Sequence, residues 1–592
     1  MVASHYDGKR ALILIGCIVL FAFAILGRMY NLQIVKGEYY AERANNQYSV
    51  PSGDTLDRGT IFFEDKDGNV ISAATLKSGY LVSINPARLP EDTEEVYRSL
   101  RSVLPDLERE DFFYRAGKKD DPYEVVARRL DEETADAVVA LGLSGTKVEG
   151  ERWRFYPGKT LASHTLGFIA YQGDVLAGRY GLEREYESLL SRTSKKLYKN
   201  FFVEVFAGIT ESIETRSLAR SGDLYTSIEP SVTAYLESIL GEINTKWSSA
   251  QTLGIVMNPK TGEVYAMGMT PSFDLNEFSK VKNNSVFDNP FVERVYEMGS
   301  IIKPLTVAAG LDAGVITAET TYEDKGFLIF DKARISNYDG KARGVVSMQE
   351  VLNQSLNTGV AFIASELGHK KFRDYFYKFG LGTKTGIDLP AEVSGLVANL
   401  ESSRDIEYVT ASFGQGIALT PIMTARALST LGNGGKLVTP HIGKRVEYDI
   451  GFSRDIEYEE PLQVLKPETS EEITRMLVRV VDEALLGGSV KLDNYSIAAK
   501  TGTAQIASPN GGYYDDRFLH SFFGYFPAYD PQFLVFLMTI EPKEVRYASE
   551  TLTLPFMDVT KFLINYYDVV PDRGISSPSS LEGLGRERGE RI

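Results

Sequence analysis

Only one stretch of this sequence can cross a bilayer, and it lies close to the first residue. Residues 11–27 are 17 consecutive uncharged, mostly apolar residues. As a helix they reach roughly 25 Å, at about 1.5 Å per residue. That falls a little short of a hydrocarbon core of about 30 Å, and Lys9 and Arg28 can snorkel at the two ends to complete the span. A small-x-small cleavage pattern, Ala22-Phe23-Ala24, sits inside the apolar run and not after it, so the run reads as an uncleaved anchor. Lys9 and Arg10 precede the span, while Arg28, Lys36 and Arg43 come after it, so charge leaves the orientation open. The ten-residue leading tail fits a signal anchor with the bulk of the chain outside. Everything after residue 28 then folds in water, without a second span.

Beyond the anchor the chain, 592 residues in all, is long enough for several domains. The net charge of −16 argues against a nucleic-acid binder. The one cysteine, Cys17, lies in the apolar run, which excludes a disulfide framework and a cysteine zinc site. His5, His164, His369, His441 and His520 are scattered without ligand spacing. No cofactor and no metal is expected.

Residues 51–221 alternate short strand-like runs (80–84) with acidic helical ones (91–104 and 132–141). Ser221-Gly222-Asp223 reads as a boundary, followed by an amphipathic helix at 229–243. Two apolar strands, 252–258 and 263–269, flank Pro259-Lys260-Thr261-Gly262 as a hairpin. The spacing predicts a mostly helical stretch over 299–431. Strands return at 495–506, 521–526 and 533–540, with a last helix at 555–567. His520 and the run 522–526 read as core strand. This order implies an α+β fold, an antiparallel sheet with segregated helices. The Gly-, Ser- and Arg-rich tail from Arg573 reads as disordered.

Three short patterns carry the chemistry. In Ser300-Ile301-Ile302-Lys303 the serine and lysine share a helix face. A helix N-terminus disfavours a further positive charge, which makes a neutral lysine accessible as a base for the hydroxyl. Gly299 permits the tight turn that exposes the serine. Ser355-Leu356-Asn357 comes after a helix that Ser347-Met348-Gln349-Glu350 opens as a capping box. Its serine can relay a proton, and its asparagine amide can bind a substrate carbonyl. Lys500-Thr501-Gly502-Thr503 ends an apolar strand. Gly502 and Ala504 let another backbone approach that strand, and the lysine and threonines suit a carboxylate.

None of the three is specific alone. Ser-x-x-Lys also occurs at Ser144 and Ser279, Ser-x-Asn at Ser83 and Ser508, and Lys-Thr-Gly at Lys260 and Lys384. Their joint order is specific, and this triple is a known signature of β-lactamases and penicillin-binding proteins. Further segments deepen the match, including Phe379-Gly380-Leu381-Gly382, Thr385-Gly386-Ile387-Asp388-Leu389-Pro390 and Ser412-Phe413-Gly414-Gln415-Gly416. With these motifs the chain resembles the class B penicillin-binding proteins, the peptidoglycan D,D-transpeptidases. Arg58-Gly59-Thr60-Ile61 and Gly181-Leu182-Glu183 are similar to the family's pedestal motifs. Ser355-Leu356-Asn357-Thr358-Gly359 looks closer to the division-type (septal) members. The chain departs from the pattern at Met298, where the family usually has proline, and at Glu64-Asp65-Lys66-Asp67-Gly68, where the family has a shorter stretch.

The resemblance implies a cytoplasmic tail (1–10), an anchor (11–28), a non-catalytic mixed α/β pedestal (29–222), a transpeptidase domain with an antiparallel sheet flanked by helices (223–570), and a disordered tail (571–592). It implies catalytic roles for Ser300, Lys303, Ser355 and Asn357, substrate binding by Lys500, Thr501, Gly502 and Thr503, and an oxyanion hole of the Ser300 and Thr503 N–H groups. The implied substrates are stem peptides ending in D-Ala-D-Ala, with β-lactams as inhibitors. The implied setting is the bacterial inner membrane, with the catalytic part outside, beside a polytopic glycan polymerase and division proteins. The alternatives are an elongation-type transpeptidase, or a D,D-carboxypeptidase or β-lactam hydrolase on the same scaffold.

Overall fold

The computed structural model describes residues 56–173, 175–192 and 221–574. The apolar run at 11–27 and the tail beyond 574 lie outside the described residues. Among the described residues no helix is long and apolar enough to cross a membrane. The chain divides into two compact units, one of residues 78–153 and one combining 57–77 with the chain from 154 onward.

In the smaller unit, residues 80–84 pair antiparallel with Glu124–Leu130. Helices Thr93–Val103 and Glu132–Ala140 close over them. Asp92 and Asp131 cap these helices by accepting from the N–H groups of Glu95 and Thr134. Val82, Ile84, Val96, Leu100, Phe112 and Val138 form the core. Both helices stand where the sequence pattern predicts them, and the strand expected at 80–84 begins earlier, at Val70.

The larger unit is built on a five-stranded antiparallel sheet, in the order Ala498–Ala507, Tyr513–Phe526, Phe533–Ile540, Gln251–Met257, Val264–Thr270. Side chains alternate between its faces. Phe533, Val535 and Leu537 join one core with Leu236, Leu240 and Phe556. Leu534, Phe536 and Met538 join another with Leu305 and Leu477. Both faces are covered, so the strand reads as an unbroken apolar run, Phe-Leu-Val-Phe-Leu-Met. Helices Pro230–Trp247 and Thr553–Tyr566 lie on the first face, where Tyr235 and Phe562 stack at 4.1 Å. The fold is mixed α+β, with the sheet flanked by helices, as the sequence predicts.

A second sheet of this unit joins Ile61–Glu64 in parallel to Gly222–Thr226, which pairs in turn with Gly443–Tyr448. Residues 65–69 form the turn between Ile61–Glu64 and the strand that begins at Val70. The family departure at Glu64–Gly68 is thus a hairpin turn, and Arg58 is buried against Glu183 regardless.

Three expectations are corrected. The stretch 299–431 is not mostly helical throughout. It contains the pairs Thr321–Asp324 with Gly344–Ser347 and Phe327–Phe330 with Ala333–Ser336. The second is a two-residue hairpin whose turn residues, Asp331 and Lys332, both have positive φ. That geometry matches strand twist, but Asp-Lys lacks the Asn-Gly signature that announces it. The strand expected at 521 begins at Tyr513. Arg573, expected in a disordered tail, is ion-paired with Asp482, and Asp572 accepts from the Ser496 N–H at 2.7 Å.

Candidate active site

Gly299–Ile302 form a single 3-10 turn that passes into the helix Lys303–Asp312. Gly299 has φ +65°, and a Cβ there would lie 2.9 Å from the Thr503 carbonyl oxygen. Glycine is therefore required twice over, by backbone conformation and by space. Its N–H donates to the Gly414 oxygen at 3.1 Å. Met298, buried in the core, presents its carbonyl to Ser521 Oγ at 2.8 Å. Gly502 stands over the same contact. A Cβ on it would meet Ser521 Oγ at 2.4 Å and the Met298 oxygen at 2.8 Å. These close approaches bring the Ser300 turn against the edge strand Ala498–Ala507.

The second motif also lies in a turn. Ser347 caps the helix Met348–Asn353, accepting from the Glu350 N–H. The chain then reverses through Ser355, at φ +54°. A serine in the left-handed region is uncommon and marks a position held by its surroundings. Asn357 opens the helix Asn357–Lys378 and donates from Nδ2 to the Ser336 oxygen at 2.9 Å. Behind it Thr358 and Asn337 bond the buried carboxylate of Asp324, which ties this turn to the strand Ala333–Ser336.

Lys303 is wholly buried. Its Nζ donates to the Ser355 carbonyl at 2.5 Å and contacts Ser355 Oγ at 3.2 Å. Both hydrogen bonds thus go to Ser355 and neither to Ser300. Burial, followed by the positive charge of Lys500, holds the Lys303 amine well below the usual lysine range. The cause expected from the sequence is the helix N-terminus, whereas the larger cause is desolvation. Lys500 is 3% exposed, and burial brings it down to about 8.

A cleft of about 680 Å³ gathers Ser300, Ser355, Asn357, Lys500, Thr501 and Thr503 on its walls. Gly502 lies beneath, buried. All eight predicted site residues therefore meet in one place. The rival matches do not. Lys260 sits in a hairpin turn, ion-paired with Asp530. Ser83 is buried in a strand of the smaller unit, Ser144 lies in an exposed turn and Ser279 in the exposed 3-10 helix Phe278–Lys280. An exposed amine paired in solvent, or a buried hydroxyl without a lysine, cannot perform the same chemistry.

Sequence reasoning missed several residues here. Ser521, a polar residue at a fully buried position of an apolar strand, was legible as a break in the pattern. Gln505, Arg334 and Arg546 also line the cleft, and no local pattern announces them, while Phe413 and Gln415, which line it too, come from the Ser412–Gly416 segment already singled out. Glu297 accepts from the Gly416 N–H at 3.0 Å and from Tyr513 OH at 3.2 Å. It links the Ser300 turn, the Gly-Gln-Gly segment and the Tyr513 strand.

Comparison with known proteins adds to this geometry. The penicillin binding protein transpeptidase domain matches residues 252–558, and the penicillin-binding protein dimerisation domain matches 55–205. Stage V sporulation protein D of Bacillus subtilis is 29% identical over 566 residues, covering 94% of this chain and 85% of the relative. Peptidoglycan D,D-transpeptidase FtsI of Escherichia coli is 25% identical over 597 residues, covering 96% and 94%. Penicillin binding protein 2X from Streptococcus thermophilus superposes with a TM-score of 0.69 at 20% identity, covering 87% and 81%. Penicillin binding protein 3 from Mycobacterium tuberculosis, complexed with aztreonam, gives 0.66 at 20%, covering 87% and 97%. At such identities the solved structures establish the fold alone. The transpeptidase match spans more than half of the chain, and the chain belongs to the class B penicillin-binding proteins.

Proposed function

We propose that Ser300 is the acylated nucleophile of a peptidoglycan D,D-transpeptidase. The observation that carries this reading is the buried, carboxylate-free amine of Lys303, hydrogen-bonded to Ser355 within the cleft that holds Ser300. A lysine held well below its usual range gives up its proton more readily and, once neutral, can accept one. Ser300 Oγ attacks the carbonyl carbon of the penultimate D-alanine and its proton passes to Lys303. The C–N bond breaks, and the departing D-alanine amine takes a proton from Ser355, which regains one from Lys303. An amine of a second stem peptide then attacks the ester, forming the cross-link and returning the proton to Ser300.

The N–H groups of Ser300 and Thr503 hold the oxyanion, where losing one such donor typically costs about 3 kcal/mol. Lys500, Thr501 and Thr503 receive the terminal carboxylate, Gly502 lets the Ser300 turn pack against the strand that carries them, and Asn357 faces the acyl amide. A β-lactam enters the same route and stops at the ester. No cofactor is required by these steps. The relatives named for D,D-transpeptidation support the chemistry.

In this reading residues 11–28 anchor the protein in the bacterial inner membrane, behind a short cytoplasmic tail at 1–10. A pedestal (29–222) and a transpeptidase domain (223–570) work outside, beside a polytopic glycan polymerase. The role is septal, supported by relatives named FtsI and by the Ser355–Gly359 motif. Depletion of the protein should give filamentous cells, and rounded cells would sink the septal assignment. For the chemistry, intact-protein mass spectrometry after exposure to a penicillin should show one stable adduct, absent in Ser300→Ala. An adduct that persists in Ser300→Ala overturns the reading, and rapid loss of the adduct to water favours a hydrolase.

A further inference from the structure

The chain carries a net charge of −16, yet among the described residues no Asp or Glu lines the cleft around Ser300. Three cations do: Lys500, Arg334 and Arg546. Lys500 donates to the Thr501 carbonyl and is accounted for by the terminal carboxylate of the donor. Arg334 and Arg546 are not. Among the described residues neither forms an ion pair. Arg334 lies over the Phe327 ring at 4.0 Å and contacts Ser336 Oγ at 3.3 Å. Arg546 lies over the Tyr547 ring at 5.7 Å. Stacking on a ring leaves most of a guanidinium's donors free for a planar anion.

Both arginines sit on segments that the catalytic motifs hold in place. The carbonyl of Ser336, two residues from Arg334, accepts from Asn357 Nδ2 at 2.9 Å. Thr503 Oγ1 accepts from the Ala548 N–H at 3.0 Å, two residues beyond Arg546. The Arg546 carbonyl itself lies 3.0 Å from Nε2 of the buried His520, which can donate to it. Tyr338 and Tyr547 meet edge to face at 5.9 Å, joining the two segments at the rim. The cations are therefore positioned relative to the acylation site, unlike lysines scattered on a surface. A built, basic wall in an acidic protein selects for an anion.

We infer that Arg334 and Arg546 form a second carboxylate subsite, which selects acyl donors whose stem carries a free carboxylate in addition to the C-terminal one. The inference rests on the reading of the cleft as a stem-peptide acylation site. The ligand class is a peptide ending in D-Ala-D-Ala with an acidic side chain upstream, as opposed to its amidated counterpart.

The test uses the full chain and two peptides that end in D-Ala-D-Ala and differ only in one upstream side chain, a free carboxylate in one and a carboxamide in the other. The ratio of their rates of D-alanine release is read on a single preparation, so any loss of folded protein cancels. The wild type should favour the acid roughly tenfold to a hundredfold, the worth of a hydrogen bond between charged groups. The double variant Arg334→Gln, Arg546→Gln should bring the ratio close to unity. Arg334→Lys with Arg546→Lys should keep a preference for the acid. Equal rates in the wild type, or a preference that survives the glutamine pair, overturns the subsite. Equal peptide rates together with a normal penicillin adduct on Ser300 remove this inference alone. Absence of acylation by both peptides and penicillin removes the transpeptidase reading and the subsite with it.

Discussion

Arg58 and Arg154 flank one carboxylate, Glu183, whereas among the described residues Lys303 and Lys500 flank none. All five side chains are buried, from 0% to 5% exposed. In the first group Arg58 Nε and Arg154 Nε each reach a Glu183 oxygen at 2.6 Å. Glu187 adds a further contact to Arg58 at 2.8 Å, and Arg154 donates to the Gly59 carbonyl at 2.7 Å. Burial would raise the Glu183 carboxyl, but Arg154 and Arg58 together hold it below its usual value. Burial likewise opposes the charge on Arg58, and Glu183 raises it in spite of that. Each charge there is kept by its partner. In the second group nothing offsets desolvation, so the lysines give way and their ammonium groups become easier to deprotonate. A paired buried charge holds segments of chain together, while an unpaired buried amine is available for proton transfer.

Substitution separates the two groups most sharply. Lys303→Met should lower the rate of Ser300 acylation by about 10²–10⁴-fold, the usual worth of a positioned general base. The same change should cost only about 1 kcal/mol of stability, for the donor lost to the Ser355 carbonyl. Acylation kinetics and urea unfolding on one preparation check both halves. Glu183→Gln should do the reverse. Arg154 loses its anion and Arg58 is left with Glu187 alone, at a cost of about 3–5 kcal/mol, while the molecules still folded acylate at the wild-type rate. If Lys303→Met unfolds the protein as Glu183→Gln does, the contrast collapses.

The smallest effect is in pH. Only the neutral Lys303 amine accepts the Ser300 proton, so the acylation rate climbs as pH rises through the lowered value of that lysine. Lys500 must keep its proton to hold a carboxylate, and it loses that proton as pH rises through about 8. One pH unit above that value the rate should be down about tenfold, with the charged fraction. Lys500→Arg, which stays protonated, should remove this descending limb. A limb that persists in the arginine variant would assign it to another group.

The catalytic motifs were legible because each arises from short-range chemistry. Ser300 and Lys303 share a turn, Ser347 announces the helix before Ser355, and Lys500 to Thr503 continue an apolar strand. The sheet strands were legible for the same reason, since a segment buried on both faces reads as a continuous apolar run. The hairpin at Asp331-Lys332 was not, because its turn residues carry no signature of positive φ. Nor was the early start of the strand at Tyr513, whose exposed residues pair with their neighbour without an apolar pattern.

By itself the sequence singled out eight candidate residues for one site, since only one ordered set of three motifs suits an acyl transfer. It could not determine the partner of Lys303 or the cause of its lowered proton affinity. Sequence reasoning placed the amine beside Ser300 and credited a helix end. The folded chain points it at Ser355 across 52 positions and removes its water. Desolvation depends on everything packed around a group, from every element at once. The same holds for Arg334 and Arg546, which lie far apart in the chain and share a cleft wall only after Asn357 and Thr503 have drawn their segments to the site. Tertiary structure alone decided that these cations line one cleft and, among the described residues, form no ion pair of their own.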